Sequence, residues 1–193
     1  RVCAKRGVFL ATGGFASSSN FRKTLAARYP HSHTLAFEGD TGDGLQAAAA
    51  VGASFDTDLA SPGYWSPASI FKGKNGEEES VLYGYLSRGR PGLIAINPDG
   101  RRFVNESNSY HDIIMAMYRH GGGNDPRFYF VCDRNFVRKY GLGMLRPWPW
   151  TFSLRRYLKS EYITAADTLR ELGKKIGVDP DNLVDTVRRH NDY

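Results

Sequence analysis

Gly92-Leu93-Ile94-Ala95-Ile96-Asn97-Pro98-Asp99-Gly100-Arg101-Arg102-Phe103-Val104-Asn105-Glu106 is the stretch on which the fold turns. Two runs of β-forming residues flank Pro98-Asp99-Gly100, and Asp-Gly between such runs is a strong hairpin signal. The string then delivers Ser107-Asn108-Ser109-Tyr110-His111-Asp112 into a helix expected over 112–119 and ended by Gly121-Gly122-Gly123. Tyr, His and Asp are all proton-transfer side chains. Asp112 also reads as a plain helix cap.

Downstream, 127–132 is apolar and aromatic and reads as a buried strand, and 144–150, with its prolines and tryptophans, as an irregular packed loop. Thr168-Leu169-Arg170-Glu171 is a capping box, and Ala165, Leu169, Leu172 and Ile176 follow helical spacing up to Gly177. Asp179-Pro180 sets an N-cap and a first-turn proline for a second helix with Leu183, Val184 and Val187 inward. These two helices read as packing elements. Upstream, 61–91 is punctuated by Pro62, Gly63, Pro67, Gly73 and Gly76, a loop-rich reading with Glu77-Glu78-Glu79 as an exposed turn. Nearer the start, 7–12 reads as a buried strand entering a turn at Gly13-Gly14. Asn20 is the expected cap of a helix over 21–29 stopped by Pro30. Thr41-Gly42-Asp43-Gly44 opens a helix expected over 45–51, with Gly52 as its C-terminal cap.

The 193 residues are 41% hydrophobic, 13% aromatic and 24% charged, enough apolar side chain for a core and too much for disorder. No run approaches the roughly 18 apolar residues of a membrane helix. The opening Arg1-Val2-Cys3-Ala4-Lys5-Arg6 has no Met and no signal-peptide core, which reads as a cut into a longer polypeptide. Two cysteines make neither a disulfide framework nor a zinc site, so no metal is expected and a reducing cytoplasm is the default compartment. A formal charge of +6 permits anionic partners. The basic residues read as solvated faces spread along the chain, without the stripe or motif of a nucleic-acid binder.

Two glycine-rich elements are candidates for ligand contact. Paired glycines in Ala11-Thr12-Gly13-Gly14-Phe15 let backbone approach a flat or phosphorylated ligand, although many plain turns look alike. Thr41-Gly42-Asp43-Gly44 precedes a helix whose first N–H groups and dipole suit an anion or cofactor, with Asp43 as an ordinary cap the other reading. The EF-hand ligand spacing and the Walker Gly-Lys-Ser/Thr are both missing.

In this order, Val8-Phe9-Leu10-Ala11-Thr12-Gly13-Gly14-Phe15 with Asn20, Thr41-Gly42-Asp43-Gly44 with Ala50-Val51-Gly52-Ala53, the hairpin string, and the tail Asp167 to Leu172 with Ile176-Gly177-Val178-Asp179-Pro180 resemble one flavoprotein family. It is that of fumarate reductases and 3-ketosteroid Δ1-dehydrogenases, and the resemblance runs nearly end to end. It implies an α+β chain: residues 1–60 as part of an FAD-binding domain and 61–193 as a substrate cap domain. It implies FAD as cofactor, contacted by Ala11, Thr12, Gly13, Gly14, Thr41, Gly42, Asp43 and Gly44. The family's Gly-x-Gly-x-x-Gly turn, which cradles the pyrophosphate, is not in this sequence, so the fragment is expected to be inert alone.

Within the family, fumarate reductases carry an acid arginine shortly after the hairpin's Asn-Glu. None occurs here between Glu106 and Asp112, and Tyr110 stands in that neighbourhood. Nor do the His and Thr-Glu contacts that fumarate reductases use earlier in the cap have a counterpart between Ser66 and Pro91. The ketosteroid dehydrogenase branch uses a tyrosine there to help abstract a proton next to a ketone while the adjacent carbon gives hydride to flavin N5. The resemblance therefore implies Tyr110 and His111 as catalytic residues, and Arg102 and Glu106 as substrate contacts. A phenol holds its proton well above neutral pH, so Tyr110 needs a helper such as His111. The rings of Tyr64, Trp65, Phe71, Tyr118, Trp148 and Trp150 suit a flat apolar substrate, or simply a core. The expected function is FAD-dependent dehydrogenation of a steroid or similar cyclic ketone. The rivals are a fumarate-reductase-like enzyme acting on a dicarboxylate, with Arg101 and Arg102 as carboxylate binders, and a non-catalytic binding module.

Overall fold

The computed structural model describes residues 3–26, 33–73, 75–121 and 126–192. The chain divides into two compact units, Arg1–Tyr64 and Trp65–Tyr193.

In the first unit, α1 spans Ser19–Leu25 and is capped by Ser18, whose Oγ accepts from Phe21 N at 3.4 Å. Ser18 has the extended backbone that a cap needs, and Asn20 lies inside the helix. Tyr29 and Pro30, the expected end, lie outside the described residues. α2 spans Asp43–Ala50, beginning two residues before the expected start, with Val51 as its C-cap. The expected strand over 7–12 does not form: Val8, Phe9 and Leu10 are exposed, Phe9 completely. Among the described residues no strand lies beside it. Apolar composition does not make a strand when nothing takes up its N–H and C=O groups.

Among the described residues, the second unit holds two antiparallel pairs. β1 (Ala68–Lys72) pairs with β2 (Glu78–Leu82), Lys72 opposite Glu78. This corrects the loop reading of 61–91. The glycines taken as loop punctuation make the hairpin turn, where Gly73 N donates to Glu77 O at 2.8 Å, and Glu78 and Glu79 belong to β2. A short helix, α3 (Tyr85–Arg88), follows.

β3 (Leu93–Ile96) is buried throughout and pairs antiparallel with β4 (Tyr129–Cys132). The two faces of this ribbon carry different cores, as the two-residue side-chain period requires. Ile94, Ile96 and Val131 face Val178 and Leu183. Leu93 clusters instead with Phe136 and Leu142. Phe136 lies on α5 (Arg134–Tyr140), which Asp133 caps by accepting from Phe136 N at 2.7 Å. The turn expected at Pro98-Asp99-Gly100 is present: Gly100 N donates to Asn97 O and Asn97 N to Arg101 O, each at 2.9 Å. The second run of that hairpin does not become a strand; only Ile96 and Arg102 form a bridge. Its place on the edge of β3 is taken by a carboxylate, because Ala95 N donates to Glu106 Oε1 at 2.7 Å.

α4 spans Tyr110–His120, capped by Ser109 rather than Asp112: Ser109 Oγ accepts from Asp112 N. Gly121 ends it, and Gly122 and Gly123 lie outside the described residues. α6 covers Arg155–Lys159. α7 (Leu169–Ile176) is capped by Thr168, which accepts from Glu171 N, and α8 (Pro180–Asn191) by Asp179, as the capping box and Asp-Pro pair specify. Leu183 of α8 is fully buried, a burial that contributes about 1.5–3 kcal/mol. No helix among the described residues is long and apolar enough to cross a membrane.

Burial pushes the Cys132 thiol up to about 12, helped by the Asp133 charge, while Cys3 is exposed. The thiolate is the reactive form. A thiol reagent at neutral pH is therefore expected to label Cys3 in the native protein and Cys132 only after denaturation. Equal native labelling of the two, read by peptide mapping, contradicts the burial.

Candidate functional site

The two glycine-rich elements of the first unit lie against each other. Gly42 N donates to Gly14 O at 3.0 Å, and Gly14 N donates to Asp40 Oδ1 at 3.3 Å. Ser17 N donates to Asp40 O at 2.9 Å, so Asp40 ties both strands of the loop pair. The close approach needs the glycines. A Cβ on Gly42, whose φ is 84°, would stand 2.6 Å from the Phe21 ring, and one on Gly44 would collide with Thr12 Oγ1. Substitution at Gly44 pushes the two elements apart, and at Gly42 it displaces the Phe21 ring of α1. Gly14 differs: it is exposed, and a Cβ there would meet nothing within 4 Å.

The N-terminus of α2 opens at the same place. Its cap residue, Gly42, brings no side chain to accept from the first-turn N–H groups. These groups keep their donors and their positive dipole end for an outside acceptor. Thr41 Oγ1 donates to Asp43 Oδ1 at 2.6 Å, which turns that carboxylate toward Thr41. Thus Ala11–Gly14 and Thr41–Gly44, separated by 26 residues or more in sequence, form one glycine-lined surface at a helix N-terminus that no side chain caps.

In the second unit, the chemistry gathers between β3 and α4. Glu106 is almost wholly buried, and its carboxylate has three donors. Oε1 accepts from Ala95 N at 2.7 Å and Arg102 Nε at 3.0 Å; Oε2 accepts from Arg102 Nη2 at 2.5 Å. The bidentate fork holds the Arg102 guanidinium above its ordinary value, the hydrogen bond being the main cause. The Glu106 carbonyl accepts from Nη1 of Arg88, a fully buried arginine at the end of α3. The Arg88 guanidinium carbon lies 5.0 Å from the centroid of the Tyr110 ring, a cation–π distance. Tyr110 is the first residue of α4, half-buried, with His111 beside it in the same turn. Its hydroxyl is 3.8 Å from where a Cβ on Gly84 would stand.

The structure therefore brings Arg102, Glu106 and Tyr110 into one connected group. Arg88 and Gly84 join it, and sequence reasoning missed both. Ser-Arg-Gly-Arg looks like a solvated helix end; nothing local marks Arg88 as the buried member.

The six rings expected around a flat substrate do not act as a set. Tyr64 is exposed and belongs to the first unit. Trp65 pairs edge-on with Tyr118 at 6.2 Å. Phe71 packs against Tyr157 and Tyr162, and Trp148 and Trp150 are exposed. Tyr162 OH shares a 2.6 Å hydrogen bond with Ser69 Oγ and accepts from Met144 N. Burial pushes the neighbouring Tyr83 phenol far above its ordinary value. Among the described residues no three His, Cys, Asp or Glu side chains cluster as metal ligands.

A family model described as FAD binding domain matches residues 1–193. The chain is 36% identical, over 99% of its length, to 4-oxocyclohex-2-ene-1-carboxylate 5-dehydrogenase of Sinomonas cyclohexanicum, covering 32% of that protein. It is 35% identical, over its full length, to 3-oxosteroid 1-dehydrogenase of Mycobacterium tuberculosis (strain ATCC 25618 / H37Rv), covering 34% of it. Among solved structures it matches 3-ketosteroid Δ1-dehydrogenase from Sterolibacterium denitrificans in complex with 1,4-androstadiene-3,17-dione, with TM-score 0.71 and 27% identity, over 95% of this chain and 32% of that one. The chain thus spans about a third of the length of the relatives it matches.

Proposed function

The chain belongs to the FAD binding domain family, and from that premise we propose that it serves a flavin-dependent dehydrogenase that desaturates a carbon–carbon bond next to a ketone in a cyclic substrate. Residues 1–60 belong to the FAD-binding domain in this reading, and 61–193 form the substrate cap. FAD fits the first unit on two observations: Gly14 leaves its side of the loop pair open, and the α2 N-terminus has first-turn N–H groups that no side chain caps. Ala11, Thr12, Gly13, Gly14, Thr41, Gly42, Asp43 and Gly44 are the residues that would hold it. When bound, the flavin accepts the hydride.

The observation that carries the reaction class is Tyr110, half-buried at the start of α4 over the buried Arg88 guanidinium. Tyr110 takes the proton from the carbon next to the ketone; the adjacent carbon loses its hydride, and the two carbons become doubly bonded. Before that step the phenolic proton passes to His111, so the oxygen is free to accept the substrate's proton. His111, in the same helical turn, relays a proton between Tyr110 and water. Glu106 and Arg102 satisfy one another, so their first task is to hold the connection from β3 to α4. Contact with substrate from this pair falls to the exposed part of the Arg102 guanidinium, whose side chain is 39% accessible. A cyclic ketone is favoured over a dicarboxylate because 106–112 offers a tyrosine and no arginine.

The test is anaerobic flavin bleaching in the intact enzyme. A ketosteroid and a cyclohexanone carboxylate are offered as reductants, and fumarate as oxidant of the reduced flavin. Bleaching by a ketone is the expected result. Reoxidation by fumarate with no bleaching by either ketone refutes the reading.

A further inference from the structure

Residues 134–160 contain seven Lys and Arg and no Asp or Glu, so the formal +6 of the whole chain is exceeded within 27 positions. The charge is therefore not spread along the chain as its sequence first suggests. All seven side chains are exposed, and among the described residues none has a carboxylate partner. Elsewhere in the same unit several cations are paired: Lys72 with Glu78, Arg170 with Asp181, Arg188 and Arg189 with Asp185.

Large apolar side chains stand among these charges. Trp148 is 58% exposed, Trp150 73%, Phe152 85% and Leu158 40%. They sit on a braced corner. Trp148 N donates to Arg138 O at 2.8 Å, and the Arg138 guanidinium lies 5.6 Å from the Trp148 ring. A Cβ on Gly141 would stand 3.0 Å from Pro147, and Tyr157 OH donates to Met144 O at 3.2 Å. α5, the loop that follows it and α6 are thereby joined, with Arg138 against Trp148 and Arg156 over the Phe71 and Tyr157 rings.

We propose that this corner docks on the surface of an anionic lipid bilayer. Trp is the side chain whose amphipathic ring suits the headgroup layer, and cations around it meet the negative surface. Insertion of Trp148, Trp150 and Phe152 removes exposed apolar area from water, which charge pairing to a polar partner leaves in place. The proposal rests on this surface alone and stands apart from the reading of Tyr110.

The experiment uses vesicles of phosphatidylcholine with and without phosphatidylglycerol, read by co-sedimentation and tryptophan emission. Two of the chain's three tryptophans are in the corner, so the emission reports on it. Binding to the phosphatidylglycerol vesicles with a blue shift, weakened by salt, is expected. Arg146→Gln with Arg155→Gln lowers the affinity about tenfold or more. Trp148→Ser with Trp150→Ser and Phe152→Ser removes most binding. These side chains are exposed, and circular dichroism checks that the variants stay folded. Failure to bind, or binding that both variants leave unchanged, overturns the proposal. So does binding of a single-stranded oligonucleotide through the same residues without vesicle binding, or lipid-free self-association that the aromatic variant abolishes.

Discussion

Replacing Tyr110 with phenylalanine is expected to slow reduction of the flavin by a cyclic ketone about a hundredfold or more, the range a positioned proton acceptor supplies. The flavin content of the enzyme should stay as it was, because the glycine-lined surface belongs to the first unit. The variant is conservative in structure. The ring stays over Arg88, the Ser109 cap of α4 does not involve the hydroxyl, and only the phenol oxygen is lost. Folding stability should change by no more than about 1 kcal/mol, the net worth of an ordinary hydrogen bond. Stopped-flow flavin bleaching makes the measurement. A rate within a few-fold of the parent removes Tyr110 from the chemistry and leaves it as a packing residue at the start of a helix.

Glu106→Ala is expected to lower stability by about 3 kcal/mol, the largest effect of any single truncation in the β3–α4 connection. Three donors lose their acceptor at once. Ala95 N lies on a strand that is buried throughout, where an unsatisfied N–H is costly. The Arg102 end is part-exposed, with 39% of its side chain accessible, so water compensates there and the figure is set below that of a fully buried pair. Glu106→Gln keeps an acceptor for Ala95 and should recover part of the loss. Urea unfolding followed by circular dichroism compares the three proteins. If Glu106→Ala unfolds at the parent's urea concentration, Glu106 is no brace, and a role in contacting substrate becomes the better account of it.

The two experiments separate parts of the site that sequence could not rank. Tyr110, Glu106 and Arg102 were all legible as polar residues after a hairpin turn. Which of them face inward was not legible, because burial depends on what lies across the ribbon. Arg88 is the clearest case: 18 residues from Glu106 in sequence, it donates to that residue's carbonyl. No spacing rule connects them.

The same boundary runs through the fold. Thr168 with Glu171, Gly177 and Asp179-Pro180 set α7 and α8 at their observed limits, because a helix end is decided by hydrogen bonds within four residues. The turn at Asn97–Gly100 is equally local, and it formed as read. The partner of β3 is not local. β4, some thirty residues on, pairs along one edge of β3, and on the other edge the nearer run, 101–105, makes only the Ile96–Arg102 bridge because the Glu106 carboxylate takes the Ala95 N–H. The apolar stretch 7–12 shows the same limit from the other side, exposed for want of a neighbouring strand among the described residues.

By itself, the sequence determined the caps of α7 and α8, the turn at Asn97–Gly100 and the flavoprotein character of the chain, since these reside in short runs of residues whose chemistry is self-contained. Only the tertiary structure decided which strand pairs with which and which arginine is buried beneath Tyr110. Each of those is set by contacts between residues far apart in the chain, where the gain from a long-range partner outweighs local preference.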